Sequence, residues 1–337
     1  MAERVSAVFT KIRLQLSKHY PSYAWLKVWI SACNFVIVRT NGNRFIEFEL
    51  SNICNARCVF CPYPDMLKSD KKFTHMQADT LEKVKQMMPS FKGVLVSFTP
   101  TTGDTLLHPE WDQYMKEILA LKSVNRATMF TNAIELDADA CKRLLAVMEA
   151  DREGKMSQLY FSVGGYDAAT YKALYQVDRF DKVVSNIRRF IEDIHLKGKS
   201  IGVHIHIKLT TGAKEDLEKA NKLFNPGAYP FVYFSHSHQY FSNDAYKRNA
   251  LLDYYPSEST DTSKACAYLK KTRFAADGGV WADGCVISEM PGDNSLRLGN
   301  VDSGINVIEH ERTRIIQDWE QNGLKPKPCR GCTMYRA

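Results

Sequence analysis

No run of this sequence is apolar for long enough to cross a bilayer. The strongest, AWLKVWISACNFVIV, is interrupted by Lys27, and only eleven residues separate that lysine from Arg39, against roughly 20 for a spanning helix. A secretory signal pattern is missing, as are internal repeats and low-complexity tracts, so neither export nor a repeat architecture is expected. Acidic residues are scarce at the start. Residues 1–44 hold seven Lys or Arg and the single acid Glu3, which accounts for six of the seven formal positive charges. The remainder is close to neutral and lacks the basic surface around its chemistry that a nucleic-acid partner demands. No nucleic-acid partner is expected.

What is present is enough chain, 337 residues, for one large core or two smaller domains. Its nine cysteines, without an export signal, point to metal or catalytic thiols rather than disulfides, in a reducing, oxygen-poor, cytoplasmic setting. Three of them, Cys54, Cys58 and Cys61, fall in SNICNARCVFCPYP as C-x3-C-x2-C, with no fourth cysteine nearby. Three thiolates can hold three corners of a four-iron cluster and leave one iron open to a substrate or cofactor. The other reading of this spacing is a zinc knuckle completed by a distant fourth ligand.

With the aromatic Phe60 just before the third cysteine, the motif resembles that of the radical S-adenosyl-L-methionine (SAM) enzymes. The resemblance implies a 4Fe-4S cluster on Cys54, Cys58 and Cys61, with SAM chelating the open iron. An electron from the cluster would then cleave SAM to a 5′-deoxyadenosyl radical. It implies in addition a flavodoxin- or ferredoxin-type electron donor.

Along the chain, Val5, Val8, Phe9, Ile12 and Leu16 stand at helical spacing with basic residues opposite. The expectation is a helix packed on the catalytic domain. A second reading lays residues 1–40 on an anionic membrane surface as a peripheral contact. Cys33 reads as a buried small apolar residue. FVIVRT and NRFIEFEL flank Asn41-Gly42, the signal for a tight hairpin leading into the cysteine loop. From there EFEL, VLVSFT, ATMFTN, LYFSVG, IGVHIHIKLT and FVYFSH alternate with helical patterns around residues 77–89, 110–122, 136–150, 181–197 and 213–224. Such βα units predict an α/β fold with a parallel sheet. The resemblance narrows it to the partial (β/α)6 barrel of radical SAM enzymes, over residues 45–245, after a basic amphipathic extension at 1–44. Residues 246–337 read as a linker and a small hairpin-and-helix module.

Several strand ends resemble family patterns. TPTTGDTLLHPEW stands where the family reads Gly-Gly-Glu, which implies SAM contacts from Thr102, Gly103 and Asp104. FTNAIEL resembles Thr-Asn-Gly-x-x-Leu, with Ala133 replacing glycine. FSVGGYDAATYKALY resembles the Ser-Leu-Asp-Gly pattern followed by Thr-Tyr. The resemblance further implies SAM contacts from Ser162, Arg179 and Phe60.

In IGVHIHIKLT, period-two alternation puts Val203, Ile205, Ile207 and Leu209 on one face and His204, His206 and Lys208 on the other. The apolar face must meet helices, so the polar three point into the lumen. The same argument sends Ile46, Phe48 and Leu50 outward and Glu47 and Glu49 inward. These polar groups are costly there unless solvated, mutually paired or used by a substrate. His206, Lys208 and Glu49 are the candidate proton-transfer residues, and an internal salt-bridge network is the alternative.

The tail adds Cys266, Cys285, Cys329 and Cys332, with RFAADGGVWADGC reading as a hairpin that turns at Gly278-Gly279. Four thiolates make a closed site for zinc or a 4Fe-4S cluster. LRLGNVDSGINVIEH resembles the Leu-Gly-Asn-Val stretch of the family's auxiliary-cluster modules. With five residues after Cys332, the tail resembles the short Twitch version of SPASM and implies an auxiliary 4Fe-4S cluster. The expected function is an oxidoreductase that dehydrogenates a sugar, cyclitol or related polar small molecule. The alternatives are a maturase of a ribosomally made peptide and a non-catalytic iron–sulfur redox protein.

Overall fold

The computed structural model describes residues 45–91, 93–198, 201–208, 213–237, 262–282, 292–330, 332 and 335. The expected helix over residues 5–20, the Asn41-Gly42 hairpin, the membrane-surface reading of residues 1–40, Cys33 and Cys285 lie outside these residues. Among the described residues no helix is long and apolar enough to cross a membrane.

Six strands follow one another in sequence order, each parallel to the next: β1 (Phe45–Phe48), β2 (Val94–Phe98), β3 (Val124–Thr131), β4 (Met156–Val163), β5 (Gly202–Lys208) and β6 (Val232–Ser237). Helices α1 (Tyr63–Met66), α2 (Ala78–Met87), α3 (Trp111–Leu119), α4 (Ala138–Ala150), α5 (Ala168–Tyr175), α6 (Phe180–Leu196) and α7 (Ala213–Phe224) lie between them. This is the mixed α/β arrangement with a parallel sheet that the alternating pattern predicts. α5 is a helix that the periodicity did not single out. Its sequence signal is Asp167, whose side chain accepts from the Thr170 N–H at 2.8 Å and caps the helix.

Alternation decides which side of each strand meets the helices. Ile46, Phe48, Val96, Phe98, Leu159, Phe161, Val203 and Ile205 are all buried on the outer face. On α6, Val183, Val184, Ile187, Phe190, Ile191 and Ile194 recur at helical spacing and are buried against that face. Phe161 of β4 meets Phe190 edge-on, with centroids 5.6 Å apart.

The tail hairpin extends this sheet instead of standing apart from it. β7 (Thr272–Phe274) pairs parallel with β1, and β8 (Gly279–Trp281) and β9 (Arg297–Asn300) add on antiparallel, giving the order β6-β5-β4-β3-β2-β1-β7-β8-β9. An unpaired β1 edge would present open N–H and C=O groups, and β7 closes it. α8 (Ile305–Asn322) packs behind, where Arg312 donates to the carbonyls of Leu269 and Lys271 and to the Thr272 hydroxyl.

One ion pair lies in the seam. The Arg273 guanidinium is 3.6 Å from the Glu49 carboxylate, and both side chains are buried. Glu49 also accepts from the Ala276 N–H at 3.3 Å. Desolvation pushes its carboxyl pKa up, while Arg273 pulls it down. Breaking a buried pair by removing one partner costs about 3–5 kcal/mol. Arg273→Ala should therefore lower the urea-unfolding free energy by about that amount, and Arg273→Met combined with Glu49→Gln should recover most of it.

Candidate functional site

The cysteine loop leaves the end of β1 and is held at several points. The Cys54 N–H donates to the Tyr63 hydroxyl at 2.9 Å. The Arg57 and Val59 N–H groups donate to the carbonyls of Tyr175 and Leu174, at 3.0 and 2.9 Å. The loop is thus docked on the carboxyl end of α5. Phe60 meets the Tyr175 ring edge-on at 5.4 Å, and Arg57 lies over the Tyr63 ring at 5.1 Å. Cys54, Cys58 and Cys61 are all half-buried on this one loop.

Two donors already face Cys54: the Ala56 N–H at 3.5 Å and the Asn132 side-chain amide at 3.8 Å. Burial pushes the Cys54 thiol up to about 12, so bound iron would have to draw the proton off. Among the described residues no three Cys, His, Asp or Glu side chains converge to hold a single metal ion. Three thiols on one loop, with two N–H donors aimed at the Cys54 sulfur, are a donor set that suits a 4Fe-4S cluster.

Beside the cysteines, the loop after β2 is locked by Gly103 and Asp104. Gly103 has φ +131°, and a Cβ there would come 2.3 Å from the Ser51 carbonyl oxygen. Thr102 is buried. The Asp104 N–H donates to the Ile53 carbonyl at 2.9 Å. Its carboxylate accepts from the Leu106 N–H, the Asn132 N–H and the Thr131 hydroxyl, at 2.8–3.0 Å. Asp104, expected to touch SAM, thus spends its oxygens on the chain's own donors. Desolvation raises its pKa to about 6 even though those donors pull it down. Ala133 follows with φ 60°, adopting the backbone conformation that a glycine would take at no steric cost.

Ser162 on β4 lies 3.3 Å from the Tyr175 hydroxyl. Arg179 is exposed, and its guanidinium donates to the Asp178 carbonyl. Lys208 closes β5 opposite Ser237, with its side chain outside the described part. His206 is half-buried on the lumen face and edge-on to Phe130 at 5.5 Å. Glu49 is occupied by Arg273. Of the three proton-transfer candidates, His206 is the one whose side chain is described on the lumen face beside the aromatic rings of β3 and β4.

The sequence reading missed a row of rings. Phe130, Tyr160, His204 and Tyr233 are register partners across β3 to β6. They stack with centroids 4.2, 4.5 and 5.2 Å apart and interplanar angles of 4°, 18° and 29°. These separations match the spacing between strands, about 4.8 Å, so the rings stand upright on the sheet with their edges toward the lumen. Parity with His204 was the signal that could have found them.

In the tail, Cys266 is buried and Cys329 and Cys332 are half-buried in a turn where the Cys332 N–H meets the Cys329 carbonyl at 3.4 Å. The Tyr335 hydroxyl donates to the Lys264 carbonyl at 3.0 Å, tying the chain end to the segment that carries Cys266.

Two outcomes follow for this loop. Gly103→Ala should cost more than about 1 kcal/mol in urea unfolding, because the residue is strained and overpacked together. Asp104 has a raised folded pKa, so its protonated form favours folding. That contribution is complete below about pH 4 and lost as the pH rises through about 6. Unfolding of the metal-free protein should show this decline between pH 4 and 6, and Asp104→Asn should remove that component.

The family model of the radical SAM superfamily matches residues 48–204. The chain is 25% identical over 148 residues to the GTP 3′,8-cyclase of Chlorobaculum tepidum, covering 44% of this chain and 41% of that protein. It is 24% identical over 147 residues to the GTP 3′,8-cyclase of Microcystis aeruginosa, covering 42% and 38%. It spans about two fifths of the length of these curated relatives. Among solved structures, anSMEcpe with bound AdoMet superimposes with a TM-score of 0.56 at 16% identity, covering 83% of this chain and 81% of that one. That likeness establishes the fold. Over just under half of the chain, residues 48–204, the sequence is thus similar to the radical SAM superfamily.

Proposed function

We propose that this chain is a radical SAM oxidoreductase that removes two electrons and two protons from a hydroxyl- or amine-bearing carbon of a sugar, cyclitol or related polar small molecule. The observation that carries the reading is the pairing of β7 with β1. It joins the scaffold of the tail cysteines by hydrogen bonds to the strand that leads into Cys54. A short path between two redox centres is what such an oxidation needs. The GTP 3′,8-cyclase similarity spans less than half of the chain, and it supports the cofactor rather than the substrate.

When bound, SAM and a reduced 4Fe-4S cluster would supply the radical chemistry that removes one hydrogen atom from the substrate carbon. Cys54, Cys58 and Cys61 would hold that cluster. Asn132, fixed by Asp104, directs its amide at the Cys54 sulfur. His206 takes the proton from the substrate hydroxyl or amine, with Lys208 on the same strand face. Cys266, Cys285, Cys329 and Cys332 would hold an auxiliary 4Fe-4S cluster, which would supply a sink for the remaining electron. A flavodoxin- or ferredoxin-type donor provides the electron that starts each turnover.

The ring row favours a second reading. Four stacked rings with polar tips make an amphipathic aromatic wall that suits an aromatic or other planar side chain, as in a maturase of a ribosomally made peptide. Native mass spectrometry after incubation with extract separates the two by the mass and identity of the retained molecule.

Anaerobic reconstitution tests the central reading. Cys58→Ala should abolish 5′-deoxyadenosine formation, while Cys285→Ala should keep part of it and lose the oxidised product. Equal loss in both variants would remove the separate roles. Reduced, iron-loaded wild type that never yields 5′-deoxyadenosine would favour a non-catalytic iron–sulfur protein.

A further inference from the structure

The row of rings stops one strand short. Phe130, Tyr160, His204 and Tyr233 fill a single register line from β3 to β6. β2 ends at Phe98, which pairs with Met129, so Thr99 is the residue level with Phe130 on the next strand. Its side chain carries no ring. The ring contacts of Phe130 are with Tyr160, stacked on one face, and with His206, edge-on, and the face turned toward β2 has no ring against it. Phe130 and Thr99 are both half-buried, so the lumen reaches this position.

Three hydroxyls stand in line beside that face. Thr128 donates to Ser97 at 3.3 Å, and Ser97 lies 2.6 Å from Thr99. Each hydroxyl has one proton to give. Ser97 is buried, so its own proton needs an acceptor inside the protein, and the Thr99 oxygen is the one in reach. The chain of donors therefore runs from Thr128 to Ser97 to Thr99 and leaves the Thr99 proton for an acceptor on the half-open side.

We propose that this position binds the heteroaromatic ring of a nucleoside-type substrate, with the ring stacked on Phe130 and an in-plane nitrogen or carbonyl accepting from the Thr99 hydroxyl. Ring stacking on an aromatic side chain suits any planar base. A phenyl ring would fill the position and leave the hydroxyl unused, and an indole N–H is a donor only. The proposal rests on the sugar reading above and narrows it: the sugar that such a ring carries is the part to be oxidised, and His206 stands at the edge of the same Phe130 ring. Phe130 and Thr99 bind the substrate and have no part in hydrogen abstraction.

The experiment is isothermal titration calorimetry of the anaerobically reconstituted full chain, with SAM present to fill its own site. The probes are adenosine, guanosine, cytidine and uridine, with ribose as the control that lacks the ring. At least one nucleoside should bind saturably, and ribose should not. Phe130→Leu should weaken that binding about tenfold or more. Thr99→Val keeps the shape, removes the proton and should weaken it several-fold, and it decides the matter if Phe130→Leu fails to fold. Thr99→Trp supplies the missing ring and should abolish binding. Full affinity in both Thr99 variants overturns the proposal. So does SAM affinity that falls in parallel, because the position would then hold the ring of SAM, and so does a tryptophan-bearing peptide that binds where no nucleoside does. Wild type that forms 5′-deoxyadenosine but retains no nucleoside overturns the proposal and leaves the functional reading standing. Wild type that binds a nucleoside through Thr99 and Phe130 but never forms 5′-deoxyadenosine removes the oxidation and keeps the binding site.

Discussion

A carboxylate taken out of water holds the site together. Asp104 receives donors from the loop after β2 and from the end of β3, while its own N–H reaches the segment just before Cys54. Three parts of the chain that must agree in position to within a bond length converge on one residue. The burial is costly, and the pKa of about 6 records that cost. What it secures is the orientation of Asn132, whose amide reaches both Cys54 and Asn55. A loop carrying three sulfurs would otherwise be among the more mobile parts of the fold.

The lumen is divided in two. On the β1 side the charges are closed off, with Glu49 given over to Arg273 and the hydroxyls of Ser97, Thr99 and Thr128 bonded to one another. On the β3 to β6 side the surface is aromatic and half-open, rising to His206. His206 and the ring row thus share this second side. The first side is where the tail is fixed.

Much of this could be read from the chain before any coordinates. Period-two alternation assigned the faces of β1 and β5, because a strand with one face under helices has no other way to distribute Ile and Val. What alternation does not carry is partnership. Glu49 was correctly turned away from the helices, yet its partner Arg273 lies in a stretch legible only as a hairpin. Asp104 stood in a family pattern, but its donors at Thr131 and Asn132 are 27 and 28 residues away and meet it only once β2 and β3 pair. The ring row escaped because parity was applied to β1 and β5 and not to β3, β4 and β6.

The seam between β1 and β7 also bears on how the chain is made. The Glu49 carboxylate meets its backbone donor 227 residues further on, so during synthesis β1 lacks its β7 neighbour until residues 272–276 have left the ribosome. Until then a slow, long-range closure is pending, and the raw flank can pair with other chains. A truncated copy ending before residue 272 would carry the open flank permanently.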